Sequence, residues 1–529
     1  MTLRHLHGRS AQPLKVLSHH RASQRSLSDD NRRPLRVMKF GGTSVADAKC
    51  IRNVAEIVRE SSRKSDIIVV VSAMAGVTNE LIEAATQARA GNYSVVTTIV
   101  AGLQRRHQEA LDALLHSIEE KSRLERNIQK LIEECDQLCR GTMLLGELTA
   151  RAQDFISSLG ERLCAPVVAA VLKEHGIPSE AVDATELIVT NSYHGGADPL
   201  MEPTRERCAA RLQSLLERGI VPVVTGFIGA TEDGILTTLG RGGSDYSAAI
   251  LGAAVLADEV IIWTDVDGLL SADPRLVSEA RIIPEISYRE ASELAFFGAK
   301  VLHPKTLRVL VDSDIPVWIR NTFSPEASGT KITRNGPVNG TGVGAVTSIC
   351  EAAWIVLSGY PIAAVSNALA RVLAATSAIH VEMLMISQSS AQNEISLVVS
   401  ASRAAETIDA IRHEFDGELL PDHLEQVISN RAVAVITAVT RDVSRESGAS
   451  TRLLGALHRE GIAVLGSAHG GAGNKISVVV MRDDLKRAAL SMHNELHAGM
   501  ITPPAATLTS SNTSALWYSR SPRPRADAD

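Results

Sequence analysis

The spacing of apolar positions divides the chain before any chemistry is considered. Leu35 to Phe40 is a short, mostly apolar run that predicts a strand; Gly41 to Ser44 predicts a turn, and Ala46 to Ile57 a helix. Ile67 to Val71 is continuous and β-branched, the pattern of a strand covered on both faces. The chain turns again at Ala75 to Thr78. From about Asn79 to Leu172 the apolar positions recur every three, four or seven residues, as in Leu103, Ala110, Leu114 and Ile118, and then Leu124, Ile128, Leu131 and Cys135. That is the signature of a helical subdomain. Strand signals return at Ile220 to Val224, Ile235 to Leu239 and Val260 to Trp263, separated by helical stretches such as Asp245 to Ala257. Strands alternating with helices predict an α/β fold with a largely parallel sheet.

A Gly- and Asn-rich stretch from about Gly336 to Thr347 predicts a linker, and beyond it the pattern becomes short and duplicated. A shift of 81 positions places Arg371 on Arg452, Leu373 on Leu454, Ala375 on Ala456, Leu384 on Leu465 and Ile395 on Ile476. Each copy runs strand, helix, strand, turn, strand, helix, the order of a βαββαβ ferredoxin-like unit suited to edge-to-edge pairing. The expected organisation is an extension over 1–34, a catalytic domain over 35–345 with its helical part at 79–172, two small modules over 350–428 and 429–498, and a Pro-, Ser- and Arg-rich disordered tail over 499–529.

Composition narrows the class. With 529 residues, 45% hydrophobic and 22% charged, the chain has the balance of a multidomain globular protein; aromatics at 3% leave the core to small aliphatics. A net charge of −6 supplies no basic field for nucleic acid or an anionic membrane. No run is expected to approach the apolar length needed to span a bilayer, so neither nucleic acid nor membrane is an expected partner. The six cysteines lack CxxC spacing and fit a reducing compartment; Cys135 and Cys139 read as buried small residues, and no metal site is expected. The first 34 residues carry no acid before Asp29, which suits a disordered extension of a cytoplasmic protein or an organelle-import sequence.

Three glycine-rich or acidic turns carry candidate chemistry. Lys39-Phe40-Gly41-Gly42-Thr43-Ser44 puts a lysine at a strand end before a glycine turn into a helix. Backbone N–H groups, helix N-terminus and ammonium would together cradle a phosphate, although the GxxxxGK[ST] pattern is absent. Thr238 to Asp245 repeats the strand–glycine turn–helix plan, with Arg241 able to hold a carboxylate through paired hydrogen bonds and Asp245 suited to a helix N-cap. Trp263-Thr264-Asp265-Val266-Asp267-Gly268 ends a strand in hydroxyl and carboxylate groups, where open parallel sheets bind nucleotides. Ordinary turns remain the alternative for each.

These segments, with Val71 to Asn79, Ser158 to Arg162, Gly226-Phe227 and Phe297 to Pro304, resemble the amino-acid kinase superfamily and, within it, the aspartate kinases. The resemblance covers about residues 36 to 345; the tail resembles the paired ACT modules of the same family. It implies a three-layer sandwich around a mainly parallel central sheet, plus two βαββαβ ACT modules. The implied reaction moves the γ-phosphate of ATP, with Mg²⁺, to the side-chain carboxylate of L-aspartate, the first step toward lysine, threonine and methionine.

By that resemblance Lys39 neutralises the transferring group, Gly41, Gly42 and Ser72 lie at the phosphates, and Asp245 organises the lysines and the metal-bound nucleotide. Thr78, Glu161, Phe227, Arg241, Gly242, Gly243 and Ser244 bind aspartate, Glu161 at its ammonium and Arg241 at its carboxylate. Thr264, Asp265, Arg275 and Lys300 serve ATP. Leu270 stands where the family has a tyrosine near adenine, and His303 reads as structural. Physical chemistry agrees: a carboxylate is already ionised at pH 7, so attack needs charge neutralisation rather than a general base.

In the tail, Gln388 matches the family position that touches an amino-acid effector, threonine or lysine, and His469 is its counterpart in the second copy. The glycine turn of the first ACT strand is replaced by Gly359 to Ala364, with Pro361 and Ala364 at glycine positions. The second copy, Ala438 to Asp442, also lacks it. Homo-oligomers through the ACT modules are implied. The rival readings are an amino-acid-sensing pseudokinase and a kinase of another amino-acid carboxylate. No GxGxxG fingerprint follows the repeats, so a fused dehydrogenase is not expected.

Overall fold

The computed structural model describes residues 32–297, 302–337, 344–358, 368–389, 394–415, 427–440, 448–470 and 475–497. The expectations for the N-terminal extension up to 31, Lys300, the Pro361 turn, Arg441 and Asp442, and the tail beyond 497 lie outside these residues.

In chain order the elements are β1 (Leu35–Phe40), α1 (Ala48–Ser62), β2 (Asp66–Val71), α2 (Val77–Arg89), α3 (Tyr93–Leu114), α4 (Ile118–Leu145), α5 (Ala150–Glu174), β3 (Ser179–Val182), α6 (Met201–Cys208), β4 (Val221–Thr225), β5 (Ile228–Ala230), β6 (Leu236–Thr238), α7 (Gly243–Ala254) and β7 (Glu259–Thr264). They continue with β8 (Glu285–Ser287), α8 (Tyr288–Phe296), α9 (Pro304–Ser313), β9 (Val317–Asn321), β10 (Thr330–Thr333), β11 (Ala345–Ser358), α10 (Ala368–Ala378), β12 (Met383–Ser389), β13 (Glu394–Ser400), α11 (Ala404–Glu414), β14 (Val427–Val439), α12 (Ala449–Arg459), β15 (Gly466–His469), β16 (Lys475–Met481) and α13 (Leu485–His497). The chain forms two compact units, one of residues 1–264 with 305–317, the other of 265–304 with 318–529.

In the first unit the strands run β3-β4-β2-β1-β7, every pair parallel. Ile67 to Val71 and Val37, Met38 and Phe40 are all buried, so helices cover the sheet on both faces, the three-layer sandwich expected. Lys39 pairs in register with Val70 on one side and Ile262 on the other, at the carboxyl ends of the strands. Element ends moved from the sequence expectation for local reasons. Asp47 accepts a hydrogen bond from the Cys50 N–H, so α1 begins at Ala48 rather than Ala46. The N-cap of α7 is left-handed Gly242, which puts Asp245 inside the first turn and not at the N-cap suggested for it.

Helix α5 corrects one expectation. It is long and apolar enough to cross a membrane by length and composition, yet 83% of its apolar window is buried inside the protein. Its neighbours α2, α4 and β4 account for that composition. Free Cys135, Cys139, Cys164 and Cys208 are buried.

In the second unit, β9-β10-β8 form one group of strands, and β12-β13-β11-β14-β16-β15 form a six-stranded sheet. The duplication is visible element by element: α10 starts at Ala368 and α12 at Ala449, β13 at Glu394 and β16 at Lys475, each 81 positions apart. The two long strands are shared between the copies. Ala352 to Leu357 of β11 pair with β13 and with Val427 to Val433 of β14, whereas Ala345 to Ile349 pair with Val435 to Val439. Register shifts between Ile349 and Ala352 and between Ala352 and Trp354 separate the two stretches of the β11–β14 ladder. Each βαββα copy thus takes its remaining strand from the other's long strand. One apolar cluster lies under α10 and α11, with Val372, Leu397 and Phe415; a second lies under α12 and α13, with Leu453, Val478 and Met492.

Candidate active site

A cavity of about 660 Å³ opens at the carboxyl ends of the first unit's strands. Lys39, Gly42, Ser72, Thr78, Glu161, Phe227, Arg241, Gly242, Gly243, Ser244 and Asp245, dispersed over two hundred positions in sequence, all line it. Sheet topology explains the gathering. Strands β1 and β2 are adjacent and parallel, so the loops that follow them open on one side.

Lys39 is 8% exposed, and its Nζ lies 2.5 Å from Asp245 Oδ1. The lysine comes from the end of β1, the aspartate from the first turn of α7, whose amino end adds positive potential. The glycine turn before α1 is packed rather than merely flexible. A Cβ on Gly42 would lie 3.0 Å from the Ala73 carbonyl, and one on Gly41 would lie 3.4 Å from Lys39 Nζ. Gly41 is tied to β7 by its N–H, which donates to the Trp263 carbonyl at 3.1 Å.

Glu161 sits on the cavity face of α5, only 3% exposed, and burial pushes its carboxyl up to about pH 8. The Ala73 N–H, Lys39 and Ser244 oppose that shift without overcoming it. One of its oxygens, Oε2, has no hydrogen-bond partner. The cavity wall thus holds a buried carboxyl oxygen that its protein neighbours leave unsatisfied.

Phe227 has a positive φ of 70°, a conformation that costs a bulky residue and persists only where neighbours enforce it. Its N–H donates to Ser247 Oγ at 2.9 Å, and Ser247 Oγ donates to the Gly243 carbonyl at 3.0 Å. Gly243 has no room for a side chain, because its Cβ would fall 2.6 Å from the Phe227 ring. The phenyl therefore lies against the turn that carries Arg241, an exposed guanidinium with no ion-pair partner among the described residues.

The expected nucleotide residues are not all gathered here. Thr264 ends β7 in the first unit but is not part of the cavity lining. Asp265 and Arg275 belong to the second unit, where Arg275 grips Asp273, among other bonds, from Nη2 to Oδ2 at 2.5 Å and from Nε to Oδ1 at 3.0 Å. Gln388 on β12 and His469 on β15 are both exposed.

Sequence reading missed Asp154, Ser157 and the loop residue Gly195, which also line the cavity. The signal was present in part: Asp154, Ser157 and Glu161 follow i, i+3, i+7 spacing on one helix face. Gly195 carried no such signal, because only the fold brings its loop back to β6.

A model of the amino acid kinase family matches residues 34–321, and this chain belongs to that family. It is 33% identical over 476 residues to the chloroplastic bifunctional aspartokinase/homoserine dehydrogenase of Daucus carota, covering 88% of this chain and 51% of that protein. It is 37% identical over 304 residues to chloroplastic aspartokinase 1 of Arabidopsis thaliana, covering 56% of this chain and 52% of that one. The crystal structure of E. coli aspartokinase III in complex with aspartate and ADP (R-state) matches with a TM-score of 0.71 at 28% identity, over 87% of this chain and 99% of that chain. The same enzyme in complex with lysine and aspartate (T-state) matches with a TM-score of 0.71 at 27% identity, over the same shares of the two chains. The chain spans about half the length of the curated relatives it matches.

Proposed function

We propose that this protein is an aspartate kinase, converting ATP and L-aspartate to ADP and 4-phospho-L-aspartate. The observation that carries the reading is the cavity wall, where Lys39 pairs with Asp245, with a glycine turn and a buried Glu161 with a free oxygen in the same lining. The substrate ammonium meets Glu161 and restores its charge, while Arg241 takes the carboxylate that does not react. The reacting carboxylate needs no proton removed, which suits a cavity whose strongest groups are charges and amides rather than a base. Lys39 neutralises the phosphoryl group in flight. The similarity to E. coli aspartokinase III in complex with aspartate and ADP supports this choice of substrates.

Nucleotide binding draws on Gly41, Gly42 and Ser72 at the phosphates, and on Thr264, Asp265, Arg275 and Lys300. Among the described residues no group of three or more His, Cys, Asp or Glu forms a metal cluster. Mg²⁺ would accompany the nucleotide, with Asp245 as the carboxylate that would orient it. Bound there, Mg²⁺ would offset negative charge on the phosphates.

The tail reads as two ACT modules, 350–428 and 429–498, that carry an effector site at Gln388 and His469 and pair chains into homo-oligomers. The lysine-bound form of the E. coli enzyme supports an amino-acid effector. The chloroplastic names of the plant relatives favour an import role for residues 1–34, testable by fusing them to a fluorescent protein.

ATP-dependent formation of aspartyl hydroxamate tests the function. Product is expected from aspartate and not from glutamate; product from glutamate alone would refute the assignment.

A further inference from the structure

Two carboxylates share the cavity face of α5, and their surroundings assign them different work. Glu161 keeps one oxygen free, whereas Asp154, 2% exposed, has none to spare. Its carboxylate accepts from His194 Nδ1 at 2.7 Å, from the Gly195 N–H at 3.1 Å, and from both the N–H (3.2 Å) and the hydroxyl (2.5 Å) of Thr238. An ionised carboxylate has about four lone-pair positions, so these donors saturate it. Because a carboxylate only accepts, the His194 proton sits on Nδ1.

These donors come from two segments far from Asp154 in sequence, the loop that carries His194 and Gly195 and the end of β6. Thr238 ends β6, immediately before the Gly240 to Ser244 turn; His194 and Gly195 lie in a loop closed on itself by Asn191, whose side-chain oxygen accepts from the Tyr193 and Asp198 N–H groups. Ala197 N–H adds a bond to the Thr238 carbonyl at 2.9 Å. The loop then presses on the turn: a Cβ on Gly240 would lie 3.0 Å from the Gly195 carbonyl. Asp154, Gly195, Thr238 and Gly240 all line the cavity.

We propose that Asp154 is a positioning residue for the carboxylate acceptor, locking the Asn191–Asp198 loop to the end of β6 and so fixing where the Gly240–Ser244 turn presents Arg241 and Ser244. This deepens the kinase reading and rests on it. Asp154 itself touches no reacting atom. His194 makes the loop side of the lock, and Thr238 the strand side.

The test joins kinetics to hydrogen exchange. Asp154→Ala raises KM for aspartate by about ten-fold or more, since an ångström of misplacement in a site is worth up to about a hundred-fold, and leaves KM for ATP within about two-fold. Thr238→Val and His194→Ala each remove one donor and give weaker versions of the same split, which keeps the proposal testable if Asp154→Ala does not fold. Asp154→Asn recovers part of the loss, because its oxygen still accepts from the Thr238 hydroxyl and the Gly195 N–H and its amide donates to the other His194 tautomer, whereas the Thr238 N–H loses its acceptor. In the same variants, amide exchange in residues 191–200 and 236–244 accelerates about ten-fold or more, while β1 and β2 keep wild-type protection. Equal increases in both KM values, or unchanged exchange in those two segments, would overturn the proposal. A wild-type protein that turns over no aspartate sinks the function reading instead, and the exchange experiment still decides the lock.

Discussion

Replacing Glu161 by Gln should make the ligand-free protein more stable, and by an amount that depends on pH. The buried carboxyl keeps its proton up to about pH 8, whereas the same group in the unfolded chain loses it near 4.5. Between those values folding takes up a proton, so wild-type stability falls as pH rises, and the loss is complete above pH 8. Each pH unit between those values is worth on the order of 1 kcal/mol, so the burden is about 1 kcal/mol at pH 5.5 and roughly 4 kcal/mol at pH 8. Gln occupies the same volume, accepts from the Ala73 N–H as Glu does, and carries no charge to desolvate. The Tm advantage of Glu161→Gln should therefore widen by roughly 6 °C or more between pH 5.5 and pH 8, at about 2 °C per kcal/mol for a unit of this size. Fluorescence-monitored melting of the two proteins over that range measures it. An advantage that stays constant with pH, or a variant that melts below wild type at pH 8, would refute the desolvation argument. Added aspartate should raise the wild-type Tm and leave that of the variant unmoved, because only the carboxylate can pair with the ammonium.

Other changes follow from the same geometry. Lys39→Ala should lower kcat by about a thousand-fold or more while circular dichroism stays native, since it removes the charge facing the transferring group and leaves Asp245 without its partner. Gly243→Ala should displace Phe227, whose ring lies 2.6 Å from the added carbon, and raise KM for aspartate without a matching change for ATP. Gly160→Ala puts a carbon 2.6 Å from Ala73 Cβ inside the core and should cost about 1–3 kcal/mol in urea unfolding. Hydroxamate assays with threonine and lysine should show inhibition by one of them, weakened in Gln388→Ala; inhibition unchanged in that variant would move the effector site elsewhere.

Much of this protein is legible without coordinates, and the reasons are local. Ile67 to Val71 announces a strand buried on both faces because no polar residue interrupts it, and the glycine turns after Phe40 and Leu239 announce themselves because other residues fit there poorly. The duplication also shows in sequence, since each copy keeps its own apolar rhythm. Helix α5 is the instructive exception: its composition alone resembles a membrane span, and only its neighbours show that the apolar surface faces protein.

What sequence determined by itself, then, was the set of segments, their repeat and the residue types from which a phosphate and carboxylate site is built. The tertiary structure decided which of those residues meet. Parallel pairing of β1 with β2 brought Lys39 and Ser72 to one cavity, and the depth of α5 turned Glu161 from an ordinary carboxyl into one held near pH 8. Asp154 became a saturated anchor because a loop forty residues away returned to it. Long β11 and β14 became common property of two repeats. Burial, charge pairing and strand partnership depend on distances between residues remote in the chain, and no local pattern of side chains encodes those distances.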